Sequence, residues 1–391
     1  MRFPQDVPVL HDGDDRASDD RVTIRAHRPE DAAGSLEQCH DPLSRQWTTV
    51  PLEYTLDDAR RFVTQAMPGG WADDTEWGFA VEAIDASGAS RYAGTISLRN
   101  EREGRAEVAY GSHPWVRGTG VMERALRLLL TWGFEERGLQ TVIWWANRGN
   151  WASRKTAWRL GFTIEGAPRQ WLPQRGQLLD SWVGTLLRDD PMHPTTPWHD
   201  VPRLDGEGIV LRRHTDADLP RLVEACSDPL VSGWIGQIPA PFTDADGRSW
   251  LESLGERHAS GTAVTWAVAD PGTDDLLGTV DLFNVRRGRD AEIGYWLHPD
   301  GRGRGLAAPM CTVALRHAFV PEDDGGLGLD RVRAVAAEGN TASRRVLERS
   351  GLQQQGRERN LVLTRDGLVD GAVYDILEED FRHRAGEPSR G

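Results

Sequence analysis

The 391-residue sequence predicts an α/β (α+β) protein of two tandem domains, each a mixed, mostly antiparallel sheet flanked by helices. Three observations carry this. Apolar residues alternate in short runs and recur at helical spacing in longer ones, so strands and helices are mixed. The two kinds do not alternate strictly, so the sheets are expected to be mostly antiparallel. And the chain repeats itself once, which at this length means two domains of ordinary size.

The repeat is read from offsets. Cys39-His40-Asp41-Pro42-Leu43 matches Cys226-Ser227-Asp228-Pro229-Leu230 at 187 residues (226 − 39), and Arg25/Arg212 and Trp47/Trp234 keep that spacing. Gly94-Thr95 matches Gly278-Thr279 at 184 (278 − 94). Tyr110, His113, Pro114, Arg117, Gly118 and Gly120 match Tyr295, His298, Pro299, Arg302, Gly303 and Gly305 at 185 (295 − 110). Asn150, Ala152, Ser153, Arg154 and Gly161 match Asn340, Ala342, Ser343, Arg344 and Gly351 at 190 (340 − 150). Loop insertions such as Pro321–Gly326 account for the drift.

In order, residues 1–20 read as a disordered acidic tail and 21–190 as the N-terminal domain. Its expected elements are a strand at 22–25 and helices at 31–40 and 56–66. Strands follow at 77–84 and 92–98. A strand over 107–113 leads to a glycine turn and a helix from Val121. A buried strand at 140–146 precedes a helix at 150–160 closed by Gly161. Strands near Trp171 and at 179–187 complete the sheet. Prolines 191, 194, 197 and 202 mark 191–207 as a semi-rigid linker. The C-terminal domain, 208–384, repeats the order: a strand at 209–213, a helix at 216–226 and a helix around 250–258. Strands at 264–269 and 276–283 come before the second glycine turn. A strand at 331–337 and a helix at 341–350 follow it.

Composition is that of a globular protein, 39% hydrophobic and 27% charged. A net charge of -14 argues against a nucleic-acid or anionic-membrane partner. No apolar run reaches the roughly 18 residues of a membrane span, and the first twenty residues lack a signal-peptide core. Cys39, Cys226 and Cys311 give neither metal spacing nor a disulfide framework. A reducing cytoplasm and no metal are expected. Twelve of the 16 tryptophans lie before residue 200, which favours core packing of the first domain over a pocket lining.

The functional signal is the stretch Glu292 to Ala307, E-I-G-Y-W-L-H-P-D-G-R-G-R-G-L-A, and its copy Glu107 to Met122. Alternation makes the first half a strand, and Pro299 ends it. Arg302-Gly303-Arg304-Gly305 then forms a tight turn, after which Leu306, Met310, Val313, Ala314 and His317 have helical spacing. Strand, glycine turn and helix is a geometry that holds a pyrophosphate: glycines let the backbone come close, and the first N–H groups of the helix face the anion. Neither a Walker motif nor a dinucleotide G-x-G-x-x-G is present.

The second copy resembles the GCN5-related N-acetyltransferase (GNAT) superfamily, and within it the ribosomal-protein alanine acetyltransferases of the RimJ/RimL type. The resemblance covers most of 208–384. It rests on Ala291 to Pro299, on Arg302-Gly303-Arg304-Gly305-Leu306-Ala307 and on Glu338 to Leu347, with Asp370, Tyr374 and Glu379-Asp380 following. It implies tandem acyl-CoA N-acyltransferase domains. Acetyl-CoA would bind at Arg302 to Ala307, and at Arg117, Gly118 and Gly120 in the first copy. The acetyl group would pass to a primary amine, on a protein N-terminus or a small molecule. A homodimeric assembly stays open.

Each expected role has a structural alternative. Glu292 and Glu107 stand where the family carries a general base; as plain surface residues they would be ion-paired. Backbone N–H groups near Trp296 and Leu297, where the strand splays, would receive the oxyanion. Ser343 and Ser153 replace the family's frequent tyrosine as proton donor to the leaving thiolate; otherwise they are ordinary helix positions. Asn340 and Asn150 would bind the cofactor arm, or simply cap their helices. Met122 replaces the small Ala307 and is expected to crowd the phosphates in the first copy. The paired His113 and His298, and Cys39 and Cys226, are expected to be structural and buried. Two function classes follow: an N-acetyltransferase with the second copy active, or an acyl-CoA-binding regulatory or scaffold protein without turnover.

Overall fold

The computed structural model describes residues 7–13 and 21–385, and forms two compact units, Met1–Thr195 and Thr196–Gly391. Of the expected tail, residues 7–13 are described, and there Leu10 and His11 pair with Ile24 and Thr23. The rest of 1–20 lies outside the described residues. The expected linker is not all spacer, because Leu204–Gly206 pairs with Ile209–Leu211.

The N-terminal unit runs β1 (Leu10–His11), β2 (Val22–Arg25), α1 (Asp31–His40), α2 (Pro42–Trp47), α3 (Leu56–Arg61), α4 (Met67–Ala72), β3 (Glu76–Ile84), β4 (Ser90–Arg102) and β5 (Arg105–Ser112). It continues with α5 (Val121–Glu135), β6 (Thr141–Asn147), α6 (Trp151–Arg159), β7 (Thr163–Gly166), β8 (Leu172–Gln174), β9 (Gln177–Leu179) and β10 (Ser181–Leu187). The sheet order is β1-β2-β3-β4-β5-β6-β10-β7, with β8 and β9 a separate ribbon.

The C-terminal unit runs β11 (Leu204–Gly206), β12 (Ile209–Arg212), α7 (Leu219–Ser227), α8 (Pro229–Ser232), α9 (Asp244–Ala259), β13 (Ala263–Ala269), β14 (Leu276–Arg286) and β15 (Asp290–Leu297). Then come α10 (Ala307–Phe319), β16 (Arg331–Ala337), α11 (Thr341–Arg349), β17 (Gln353–Thr364), β18 (Gly367–Leu377) and α12 (Glu378–Ala385). Its sheet, β11-β12-β13-β14-β15-β16-β18-β17, has the same topology. In each sheet one neighbour pair is parallel, β5–β6 and β15–β16; the rest are antiparallel.

Local chemistry sets the helix starts. Thr55 with Asp58, Thr215 with Asp218 and Thr243 with Asp246 form reciprocal capping boxes. The expected helix 56–66 departs from a plain α-helix. Pro68 has no N–H to offer, and Met67 donates to Phe62 O, five residues back, so 62–66 widens into a π-turn before α4.

One face of each sheet is dry. In the C-terminal unit Ile209, Leu211, Val264, Trp266 and Ile293 pack on Met310, Ala314 and Phe319 of α10. In the N-terminal unit Ile24, Phe79, Val81, Ile96 and Leu98 pack on Leu126, Leu129 and Leu130 of α5. Each such side chain contributes about 1.5–3 kcal/mol on burial. This packing lays the long helix across the sheet, and the glycine turn joins its start to the end of β5 or β15. Among the described residues no helix is long and apolar enough to cross a membrane.

Candidate active site

The site begins where the parallel pair parts. Asp290, Ala291 and Glu292 pair with Arg331, Val332 and Arg333, and the pairing goes no further although both strands continue. Beyond Glu292 the β16-facing edge of β15 opens. His298 donates its N–H to Leu277 O at 2.9 Å, on the β14 side. Alternation therefore turns the backbone of Leu297 into the opening and that of Trp296 toward β14. Arg302 Nη2 reaches Leu297 O at 3.2 Å, from within the opening. Of the two expected oxyanion donors, Leu297 faces the gap; Trp296 instead sends its side chain into a cavity on the other face of the sheet. In the N-terminal unit the parallel pairing runs one residue longer, to Val108 with Trp144.

The glycine turns sit at these openings. Gly303 and Gly305 have φ of 71° and 77°, and Gly118 and Gly120 have 77° and 83°, a region that favours glycine. A Cβ at any of the four would meet nothing within 4 Å, so space beside the turn is free. Neither α10, which starts at Ala307 after Leu306, nor α5 has a side-chain N-cap. Their first N–H groups can therefore serve an anion.

The turn's arginines look inward. Arg302 Nη2 also donates to Asp228 Oδ1 at 2.8 Å, and Arg304 Nη2 to Asp270 Oδ2 at 3.0 Å. Arg117 likewise binds Asp41, and Ser44 Oγ at 3.2 Å. The guanidinium beside each carboxyl holds Asp41, Asp228 and Asp270 below the usual carboxylate range. The repeated Cys-x-Asp-Pro-Leu segment is thus the anchor of the glycine turn. Met122 does not cover the turn as expected. Its Cε lies 2.9 Å from where a Cβ on Gly94 would stand, because the second residue of α5 faces the core.

Behind each opening stands a serine. Asn340 Oδ1 caps α11 by accepting from Ser343 N at 3.1 Å, and Asn150 does the same for Ser153 at 3.2 Å. Ser343 Oγ lies 3.1 Å from Tyr295 Oη, and Ser153 Oγ 2.7 Å from Tyr110 Oη. Burial pushes both phenols up from their ordinary range, so both hydroxyls stay protonated. In the N-terminal unit Trp144 Nε1 also donates to Tyr110 Oη at 3.2 Å and Ser153 Oγ at 3.1 Å. Sequence reasoning missed both tyrosines as partners, although strand alternation puts Tyr295 on the face of Ile293.

The expected bases are held differently. Glu107 Oε1 is ion-paired with Arg99 Nη1 at 2.8 Å. Glu292 Oε1 accepts from Asn284 Nδ2 at 2.9 Å and lines a hollow with Thr262, Asp290 and Arg333. The larger cavity, about 520 Å3, lies beside Gly294 and Trp296. Its walls come from α7, the 235–242 loop and α9, and Asp281 is in its lining. Burial pushes Asp281 up from the ordinary carboxylate range, despite bonds from Arg257 Nη2 (2.7 Å) and Thr265 Oγ1 (2.8 Å). The loop wall is gripped by Arg365, which reaches Ser232 O and Ile238 O, while Gly236 N donates to Leu363 O.

His113 and His298 are buried, each with a Glu carboxylate 3.2 Å from Nε2 and a role in capping the turn that follows. Cys39 and Cys226 are buried, and burial pushes their thiols up to about 11 and about 12. Among the described residues no cluster of three or more His, Cys, Asp or Glu could hold a metal.

A sheet that opens at one parallel pair, with an uncapped helix behind a glycine turn at the mouth, defines a class of protein with a cleft for an anionic ligand. Comparison with known proteins gives the family. The profile of the acetyltransferase (GNAT) domain matches twice, at residues 21–163 and 209–353, which together make up most of the chain. The chain belongs to that family, as a tandem duplication, and is an N-acetyltransferase. The Bacillus subtilis protein named uncharacterized N-acetyltransferase YoaA is 25% identical over 178 residues, 45% of this chain and 97% of its own. The ribosomal protein uS5-alanine N-acetyltransferase of Escherichia coli K12 is 26% identical over 131 residues, 32% of this chain and 62% of its own. The Mycobacterium smegmatis RimJ structure, in complex with CoA-disulfide, is 22% identical with a TM-score of 0.41, over 49% of this chain and 98% of that one.

Proposed function

We propose that the C-terminal unit transfers an acetyl group from acetyl-CoA to a primary amine, and that the N-terminal unit is not a turnover site. The observation that carries the reading is the open edge of β15. The Leu297 N–H faces a gap bounded by the Gly303–Gly305 turn on one side and Ser343 with Tyr295 on the other. The turn would take the CoA pyrophosphate, with Asn340 at the cofactor arm. The Leu297 N–H would receive the carbonyl oxygen as it gains charge. Ser343, fed by the Tyr295 hydroxyl, would protonate the leaving thiolate.

The first unit differs from the second at three matched positions. Trp144 stands where β16 has Ala334, Trp182 where β18 has Ala372, and Trp151 where α11 has Thr341. Trp182 packs on Trp151 at 4.6 Å between ring centroids and lies under the Arg154 guanidinium. Trp144 engages Tyr110 and Ser153. Trp144 lies across from Gly184 where Ala334 lies across from Tyr374, so the first unit carries that bulk on β6 and adds indoles at Trp182 and Trp151, where the second has Ala372 and Thr341. Three buried thiols suit a reducing cytoplasm. Calorimetric titration of the full chain with acetyl-CoA should give one site per chain, and free thiol should appear only when an amine is added. Two equivalent sites would overturn the division of labour; binding without thiol release from any amine would point to a sensor.

A further inference from the structure

We infer that the cavity beside Trp296 takes a small primary amine on an apolar or aromatic body, and that Asp281 receives the proton of its ammonium. The inference rests on the C-terminal unit being the acetyltransferase, and names its acceptor class and its base.

The cavity's size suits a small molecule. Leu222, Ile238, Phe242, Trp250 and Trp296 make its walls apolar. Two carboxyls line it, and they are not equivalent. Asp246 is committed to its capping box, accepting from Thr243 N and Oγ1. Asp281 sits on β14 directly across from Gly294, which brings no side chain between it and Trp296. Its side chain is 19% exposed, and each oxygen carries one protein donor and keeps acceptor capacity. Glu292 lines the other hollow. The N-terminal unit has Ser97 in place of Asp281, bonded to Glu76 at 2.6 Å.

The surroundings favour a neutral amine. The titratable groups around the cavity are Arg257 and Asp246 on α9, Cys226 on α7, Tyr295 on β15 and His214 behind Thr279. Arg257 repels an ammonium, while a buried carboxyl accepts a proton more readily than an exposed one. In the step, the Asp281 carboxylate takes one proton from R–NH3+. The freed nitrogen lone pair forms an N–C bond to the thioester carbonyl carbon. The oxyanion collapses, the C–S bond breaks and the electron pair leaves on sulfur. The second proton lost by nitrogen ends on the thiolate, giving amide and CoA thiol, and Asp281 returns its proton to solvent.

The test is thiol release by the full chain with four amines: phenethylamine, trifluoroethylamine (already neutral at pH 7), spermidine and an alanine-initiated hexapeptide. Phenethylamine should exceed spermidine and the peptide at least tenfold in kcat/KM. Asp281→Asn should lower kcat with phenethylamine by about a hundredfold, and with trifluoroethylamine by less than about fivefold, because that amine brings no proton to remove. Acetyl-CoA affinity should be unchanged, which also reports an intact fold. Thr265→Val, near-isosteric, should give a smaller loss with the same dependence on the amine. Equal losses with both amines, or the selective loss appearing in Glu292→Gln instead, overturn the assignment to Asp281. Preference for the peptide or spermidine overturns the acceptor class. No thiol release from wild type with any of the four amines overturns the acetyltransferase reading itself, and this inference with it.

Discussion

Tyr295 of β15 and Ser343 of α11 meet hydroxyl to hydroxyl at 3.1 Å, and Tyr110 and Ser153 meet at 2.7 Å in the other unit. In both, the phenol is also within reach of the serine carbonyl, at 3.0 and 3.2 Å. The pair ties the open strand to the helix that Asn340 or Asn150 caps. It also offers a buried proton next to the gap. What differs is the third member, Trp144, which is present in the first unit alone.

If Ser343 protonates the thiolate through this pair, Ser343→Ala should lower kcat by about tenfold to a hundredfold with acetyl-CoA affinity kept. Tyr295→Phe should lower it less, since water can supply the serine. Thiol-release kinetics with calorimetric titration checks both; unchanged kcat in Ser343→Ala removes the serine from the mechanism.

Arg302 is expected to act as a clamp on the turn. Its contacts are Asp228 and Leu297 O, and lysine cannot reproduce a planar fork. Arg302→Lys should weaken acetyl-CoA binding by roughly 1–2 kcal/mol, the scale of a lost charged hydrogen bond. Asp228→Asn should weaken it by a similar amount, although Asp228 carries no positive charge for a phosphate. If only the Arg302 change weakens binding, Arg302 is a phosphate ligand and the clamp reading fails.

Buried histidines set an acid limb on stability. Burial pulls His27, His214 and His317 down to about 4 and His258 to about 3. The unfolded chain takes up protons near pH 6.5, where the folded chain does not, so stability is lost as pH falls from about 6.5 toward 4. Each imbalance is worth up to about 3 kcal/mol at the bottom of that window. Thermal melts from pH 7.5 to 5 should show a falling Tm. His317→Phe should flatten that fall, because it removes the titratable ring of the pair in which His317 meets Trp266 edge to face.

How much of this was legible in the sequence follows from the range of each interaction. Asp31–His40 and Arg331–Ala337 were readable to the residue, because the apolar period of a helix or strand is local. The glycine turn was readable because only glycine is at ease at φ near 75°. The anchor of that turn was not: Asp228 and Arg302 are 74 residues apart, and the repeat showed only that both recur. Met122 was misread because one position at a helix start can face ligand or core, and only packing against Gly94 decides. Asp281 was invisible because a carboxyl in a strand reads as a surface residue until α9 and Arg257 cover it. Glu292 stood out in the motif, yet its neighbours are Asn284 and Arg333 rather than the apolar cavity.

The two turns themselves permit a direct test of which unit works. Both have open space at Gly120 and Gly305, and both helices lack a side-chain cap, so a glutamate at either site would face an anion with like charge and would strain a backbone at φ 83° or 77°. The difference between the units lies deeper, at Trp144, Trp151 and Trp182 against Ala334, Thr341 and Ala372. If those indoles close the first cleft, Gly305→Glu in the full chain should abolish acetyl-CoA binding and thiol release. Gly120→Glu should leave both within about twofold. Trp144→Ala should cost about 3–5 kcal/mol of stability, as for other large buried aromatics, without adding turnover, since Ser97 still stands in place of Asp281. Should Gly120→Glu remove most of the activity while Gly305→Glu spares it, the tryptophans line a working site and the assignment of the halves is reversed.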